Sequence, residues 1–270
     1  MSCWQDGNPA SKICIVGIAP GREELVQDRP FIGPAGRLLW SLLKKAGIDR
    51  ADCYILNVTG EWPEGTTGGP TEAQLDTWWD RFDSAVAAFT GSCVVLLGGD
   101  AFHRFTGLSG GINDWGGYLL HAHSRTSLQR TRAAIVPYKT SNSKKSIKKG
   151  DPRRITIKEQ VPPPAVPKHT IILPALHPAG VLRSGFATAP ILASQLKRAG
   201  RVLRGELHPS RCSFDEFPTI WSPRPEVSAD IETGGIQGGI IRMGMACENA
   251  AWSIPWDSRA RNATAAILSR

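Results

Sequence analysis

The stretch that decides the reading is Ile13-Cys14-Ile15-Val16-Gly17-Ile18-Ala19-Pro20-Gly21. Four consecutive apolar residues, three of them β-branched, have the length and composition of a strand buried on both faces. The run stops at Gly17, and the Gly-x-x-Pro-Gly that follows brings main chain close to a ligand. Residues 17–21 offer no acid, base or nucleophile. Their chemistry must come from backbone amides, and those of Ile18 and Ala19 are the expected donors.

Working outward, similar apolar runs at 53–58, 93–97 and 170–173 read as further strands. Helical spacing fills the intervals. Leu38, Leu39, Leu42 and Leu43 mark a helix over 35–46. Thr71 caps one carrying Leu75, Trp78, Trp79, Phe82, Val86 and Phe89. A short helix reaches about Phe105, and 189–203 is amphipathic with Pro190 in its first turn. Strands alternating with helices predict a three-layer α/β/α fold around a short central parallel sheet. The ligand crevice of such a fold lies beyond the carboxyl ends of the strands. The loops after Gly17, Asn57 and Pro174 therefore open into it.

The expected organisation is a domain over 1–206, a linker over 207–225 rich in proline, and a C-terminal segment over 226–270. A basic insertion at 121–168 reads as a long loop. Between His121 and His169 stand twelve Lys and Arg against two acids, so this stretch carries +10 of a total of +8 and the rest is near −2. A concentrated basic patch attracts polyanions, nucleic acid first among them. Lys144, Lys145, Lys148, Lys149, Arg153 and Arg154 are its expected DNA contacts.

No apolar run is long enough to span a bilayer, and the start MSCWQDGNPASK lacks the features of a signal peptide. The six cysteines are scattered without a C-x-x-C pair, which suits reduced thiols in a cytoplasmic protein. His121 and His123 alone are too little for a metal site. No membrane partner is expected.

Four motifs in order then carry a resemblance: Gly17-Ile18-Ala19-Pro20-Gly21, Pro30-Phe31-Ile32-Gly33-Pro34-Ala35-Gly36-Arg37-Leu38-Leu39, Tyr54-Ile55-Leu56-Asn57-Val58, and Leu176-His177-Pro178-Ala179-Gly180-Val181-Leu182-Arg183. Over about 12–205, apart from the basic insertion, the chain resembles the uracil-DNA glycosylase superfamily, most of all its iron–sulfur type. The run Val94 to Gly107, with Leu96-Leu97-Gly98-Gly99-Asp100-Ala101-Phe102, also fits that family's third strand and helix. The resemblance implies hydrolysis of the N-glycosidic bond of deoxyuridine in DNA. Gly17, Ile18 and Ala19 would border the flipped uracil. Phe31 would stack on it, Asn57 would read its N3–H and O4, and His177 would donate to O2 as negative charge develops. Pro178 and Leu182 would meet the DNA, Leu182 as a wedge, and Arg183 would anchor a phosphate.

Two departures stand out. The family has Glu where Ile18 stands, and that carboxylate positions the attacking water. Glu24 is the nearby acid expected to act as substitute base. The family's cluster ligands are a Cys pair before the first strand, a third Cys shortly after the strand-ending Asn, and a fourth in the next helix. Here those places hold only Cys3, then Glu61, then no Cys over 71–89. No iron–sulfur cluster is expected, and Trp62, Trp78 and Trp79 are expected to pack in its place.

Glu226 to Thr233 resembles the first motif of the 3′–5′ exonuclease domains attached to DNA polymerases. Asp230 and Glu232 on a strand would share Mg²⁺ or Mn²⁺ only in a complete domain of that kind. The chain reads as ending before the further acidic motifs, with a polymerase downstream, and the fragment as unable to cleave DNA by itself. Two alternatives stay open beside the glycosylase: a uracil- or single-strand-binding module that does not cut, and a clamp whose only working surface is the basic insertion.

Overall fold

The computed structural model describes residues 3–62, 69–136, 153–207, 228–233, 240–247 and 250–255, with backbone alone for 132–136, 153–156 and the last three stretches. The chain divides into two compact units, Met1–Glu206 and Leu207–Arg270.

In the first unit the apolar runs form the centre of a six-stranded sheet ordered β1-β3-β2-β4-β8-β5. β2 (Ile13–Gly17), β3 (Cys53–Asn57), β4 (Cys93–Leu97) and β8 (Ile171–Ala175) are parallel and buried throughout. Burial on both faces explains their lack of polar alternation. The edges are antiparallel: β1 (Gln5–Asp6) beside β3, and β5 (Leu120–His121) beside β8. Two polar residues carry no strand pattern, so β1 is invisible in the sequence.

Cys14, Val16, Tyr54, Leu56, Val94 and Leu96 meet Phe82, Phe89, Phe102 and Phe105 on one face. These aromatics come from α3 (Glu72–Ala87), its C-terminal continuation and α4 (Gly99–Thr106). On the other side α7 (Ala189–Leu203) packs against β4 and β8, and α2 (Pro34–Lys45) against α7. This gives the three layers. Thr71 caps α3 in a capping box with Gln74. α1 (Arg22–Gln27), α5 (Ile112–Trp115) and α6 (Pro178–Arg183) are short. Among the described residues no helix is long and apolar enough to cross a membrane.

The insertion differs from the expected loop. β6 (Leu128–Val136) and β7 (Arg153–Val161) form an antiparallel two-stranded ribbon with nine paired positions, from Leu128↔Val161 to Val136↔Arg153. Thr131, Ile135, Ile155, Thr156 and Ile157 supply the β-branched content that the charged residues mask in the sequence. Arg130 ties the ribbon to α3, bonding Asp76 at 2.9 Å and Asp80 at 3.2 Å, with its guanidinium 5.2 Å from the Trp79 ring centroid.

In the second unit β9 (Ser228–Thr233), β10 (Ile240–Cys247) and β11 (Ala250–Pro255) form an antiparallel sheet ordered β11-β10-β9. Asp230 and Glu232 occupy alternate positions of β9, paired with Gly244 and Arg242. Linker residues 208–225 lie outside the described residues.

Candidate active site

The register aligns the ends of the parallel strands: Gly17 beside Asn57, Val16 beside Leu96, Leu97 beside Ala175. Four loops therefore start at one edge of the sheet. Three motif residues converge there. A Cβ at Gly17 would lie 2.5 Å from Phe31 Cζ and 2.6 Å from Asn57 Oδ1. Only glycine admits the ring and the amide at this place, which is why β2 ends on it.

Phe31 is buried, with a left-handed backbone at φ +52°. Its carbonyl accepts from Trp40 Nε1 at 2.7 Å and from Arg50 Nη1 at 3.1 Å. Arg50 also bonds the Pro30 carbonyl and Asp6 of β1, and lies over the Trp40 ring. Gly36 packs so tightly on the Phe31 carbonyl that any side chain there would overlap it. The spacing of the Phe-Ile-Gly-Pro-Ala-Gly motif thus serves to fix one aromatic ring.

Asn57 is 1% exposed. Its amide N–H donates to the Trp4 carbonyl at 2.6 Å and Nδ2 to the Cys3 carbonyl at 3.3 Å. Among the described residues Oδ1 has no donor. A buried acceptor without a partner is costly, and this one lies beside Gly17 and Phe31.

His177 is the N-cap of α6, and its Nδ1 accepts from the Ala179 N–H at 3.1 Å. The ring proton therefore sits on Nε2, as a donor. Burial, with the Arg183 charge adding to it, lowers the His177 pKa to about 4, so the ring is neutral at ordinary pH. Gly98, at φ +88°, lies against it: a Cβ there would be 3.1 Å from His177 Cβ. The preceding residue is pinned too, Leu176 N–H donating to Gln195 Oε1 at 2.9 Å. Gln195 was not read from the sequence, though a buried amide on the apolar face of α7 is the signal that marks it.

Ile18 is half-buried and packs on the apolar cluster below. Glu24 is buried in α1, and its Oε1 accepts from Ile32 N–H at 3.1 Å and Gly33 N–H at 2.9 Å. It joins the first motif to the second. Pro178 is buried at the start of α6, Leu182 is half-buried and Arg183 exposed. The exposed apolar side chain of this region is Phe186, at φ +67°. Lys144, Lys145, Lys148 and Lys149 lie outside the described residues, and Arg153 and Arg154 are placed by backbone on β7.

A model of the uracil DNA glycosylase superfamily matches residues 4–197. The chain belongs to the uracil DNA glycosylase superfamily. Similar proteins include the Type-4 uracil-DNA glycosylase of Archaeoglobus fulgidus, 36% identical over 92 residues, which are 34% of this chain and 46% of that one. That of Thermotoga maritima is 51% identical over 53 residues, 20% of this chain and 28% of the relative. That of Sulfurisphaera tokodaii is 32% identical over 94 residues, 34% and 42%. The chain spans less than half the length of these relatives.

The segments at which the resemblance places cluster ligands do come together. Cys3 Sγ donates to the Gly60 carbonyl at 3.4 Å, and Trp78 Nε1 of α3 donates to Glu61 Oε1 at 3.0 Å. Trp78 also meets Trp4 edge-on at 5.6 Å and closes over Gly60. One thiol, one carboxylate and two indoles do not fit an iron–sulfur cluster, which takes cysteine thiolates. Of the three tryptophans, Trp78 packs between these segments, Trp62 is exposed, and Trp79 lies under the Arg104 guanidinium, 3.1 Å from its ring centroid.

Proposed function

We propose that this superfamily domain hydrolyses the N-glycosidic bond of deoxyuridine in DNA. The observation that carries the proposal is the buried, unpartnered Asn57 Oδ1 beside Gly17 and Phe31. A pyrimidine carrying N3–H would supply the missing donor, and Nδ2 can share a second hydrogen with O4. Phe31 stacks on the base, and amides of Ile18 and Ala19 add donors. His177 Nε2–H stabilises the departing anion at O2, and a neutral donor suits this because it leaves the base free to depart. Leu182 fills the vacated stack, and Arg183 and Pro178 meet the backbone.

Glu24, expected as a base, is better suited by its bonds to hold the loop. Glu24→Gln keeps one acceptor oxygen and should retain most activity. Glu24→Ala leaves two amides without an acceptor, and a loss of about 1–3 kcal/mol is expected in urea unfolding.

The basic ribbon serves as a DNA-contacting arm. Changing Lys144, Lys145, Lys148 and Lys149 together to Gln should reduce the slope of log binding constant against log salt by up to about 3, at roughly 0.7 per lost single-strand contact. An unchanged slope would remove the arm from the interface.

The alternative, a reader that binds without cutting, is favoured by one observation: Ile18 is apolar and packed where the family has a carboxylate. The deciding experiment uses a single-stranded oligonucleotide with one uracil, followed by alkali. Strand breaks that vanish in His177→Ala support the enzyme. No break, with tighter binding than to the thymine twin, supports the reader.

For residues 226–270 we infer an exonuclease-like β-segment. The antiparallel order β11-β10-β9, with Asp230 and Glu232 on β9, supports this. Such carboxylates take Mg²⁺ or Mn²⁺ when further acids complete the set. A polymerase partner belongs to the same inference.

A further inference from the structure

A cleft of about 450 Å³ opens beside Ile18, lined also by Pro70, Trp79, Asp100, His103 and Arg104. Its position follows from the sheet. β2 and β4 are neighbours with Val16 beside Leu96, so the residues that follow, Ile18 and Gly98-Gly99-Asp100, leave the same edge side by side. Gly98 backs His177, and Gly17 backs Phe31 and Asn57. Asp100, in the first turn of α4, follows the loop in which Gly98 backs His177, after the strand beside the one that ends at Gly17.

The other ionisable groups of this cleft are engaged. Asp76 is bonded to Arg130, and His103 Nε2 bonds the Gly110 carbonyl at 2.6 Å. Glu72 interacts with Arg104. Asp100 is exposed, and among the described residues its carboxylate has no hydrogen-bond or ionic partner. The Arg104 side chain is 7% exposed, and its nitrogens have no hydrogen-bond acceptor among the described residues; its Asp83 contact is 3.7 Å long.

We propose that Asp100 is the general base of the glycosylase reaction, reaching from α4 the water that a carboxylate at position 18 would otherwise hold. The proposal rests on the glycosylase reading above. Water oxygen bonds to C1′ as the C1′–N1 bond breaks, and its electron pair leaves with uracil, whose O2 faces His177. The water proton passes to Asp100 and then to solvent. The products are a uracil anion and an abasic sugar.

The test measures kcat and KM on the single-uracil oligonucleotide for the wild type, Asp100→Asn, Ile18→Glu and the double variant. Asp100→Asn should lower kcat by about 10²-fold or more with KM and melting temperature little changed. Adding Ile18→Glu should restore most of the loss, because a carboxylate on either side of the cleft holds the same water. Asp100→Asn at the wild-type rate, or a double variant as slow as Asp100→Asn, would overturn the proposal and leave the glycosylase reading standing. A wild type that never cuts would overturn both.

Discussion

Replacing His177 with Ala is expected to slow uracil release by about 10²–10³-fold, the effect of removing one preorganised donor from a developing anion. Binding of the uracil strand should change far less, because the proposed function assigns ground-state holding of the base to Phe31 and Asn57. The structure adds a pH signature. With a pKa of about 4, His177 stays neutral across the range in which an ordinary histidine titrates. The wild-type kcat should therefore show no inflection near pH 6.5 due to this ring. The same depression has a stability consequence whose sign is fixed. Between about pH 6.5 and 4 the unfolded chain takes up a proton at His177 that the folded chain refuses, so stability falls as pH falls through that window. The loss is at most about 3 kcal/mol, and His177→Ala should lack it. Urea unfolding at pH 7 and pH 5 for both proteins checks this. Equal acid sensitivity would mean an ordinary, solvated His177.

The second large effect is expected from Gly17→Ala. The new methyl would meet Phe31 Cζ at 2.5 Å and Asn57 Oδ1 at 2.6 Å. Neither neighbour can withdraw cheaply. Asn57 is tied to the carbonyls of Trp4 and Cys3, and Phe31 to Trp40 and Arg50 through its own carbonyl. The strand should tolerate the change at about 1–3 kcal/mol, as overpacked cores do. The pocket should not: preference for the uracil strand over its thymine twin should disappear, and turnover should drop at least about 10³-fold, an entire stacking and reading contact being lost. The paired measurement is a thermal melt and a competition binding assay. A folded variant that still prefers uracil would show that the base sits elsewhere.

The parallel strands and main helices were legible because burial on two faces leaves continuous apolar runs and burial on one leaves a 3.6-residue period. Asn57 and His177 draw notice in the sequence because each ends or follows a strand, where such a fold opens its crevice, whereas Phe31 lies between α1 and α2 and draws it only through the motif around it. What escaped was held by contacts distant in sequence. Asp6 bonds Arg50 across 44 residues, and Gln195 bonds Leu176 across 19. No local pattern announces either. Glu24 was legible as an acid of the right loop, but its two amide partners come from the next motif. The ribbon escapes a reading by pattern because its β-branched residues do not alternate and stand among charges. Asp100 has no signal of its own within its strand-to-helix motif, since only the sheet order sets its loop beside that of Ile18.

The left-handed backbone of Phe31 has a thermodynamic corollary. A bulky residue held at φ +52° costs on the order of 1–3 kcal/mol, and Trp40, Arg50 and Gly36 sustain it. That energy is spent once, when the chain folds, together with the rotational freedom of the ring. On the proposed function a visiting base would meet a surface already immobilised, so association would carry little ordering entropy on the protein side. The conformational work then falls on the nucleic acid, which must unstack and rotate a nucleotide. Strands whose bases are already unstacked should be captured fastest.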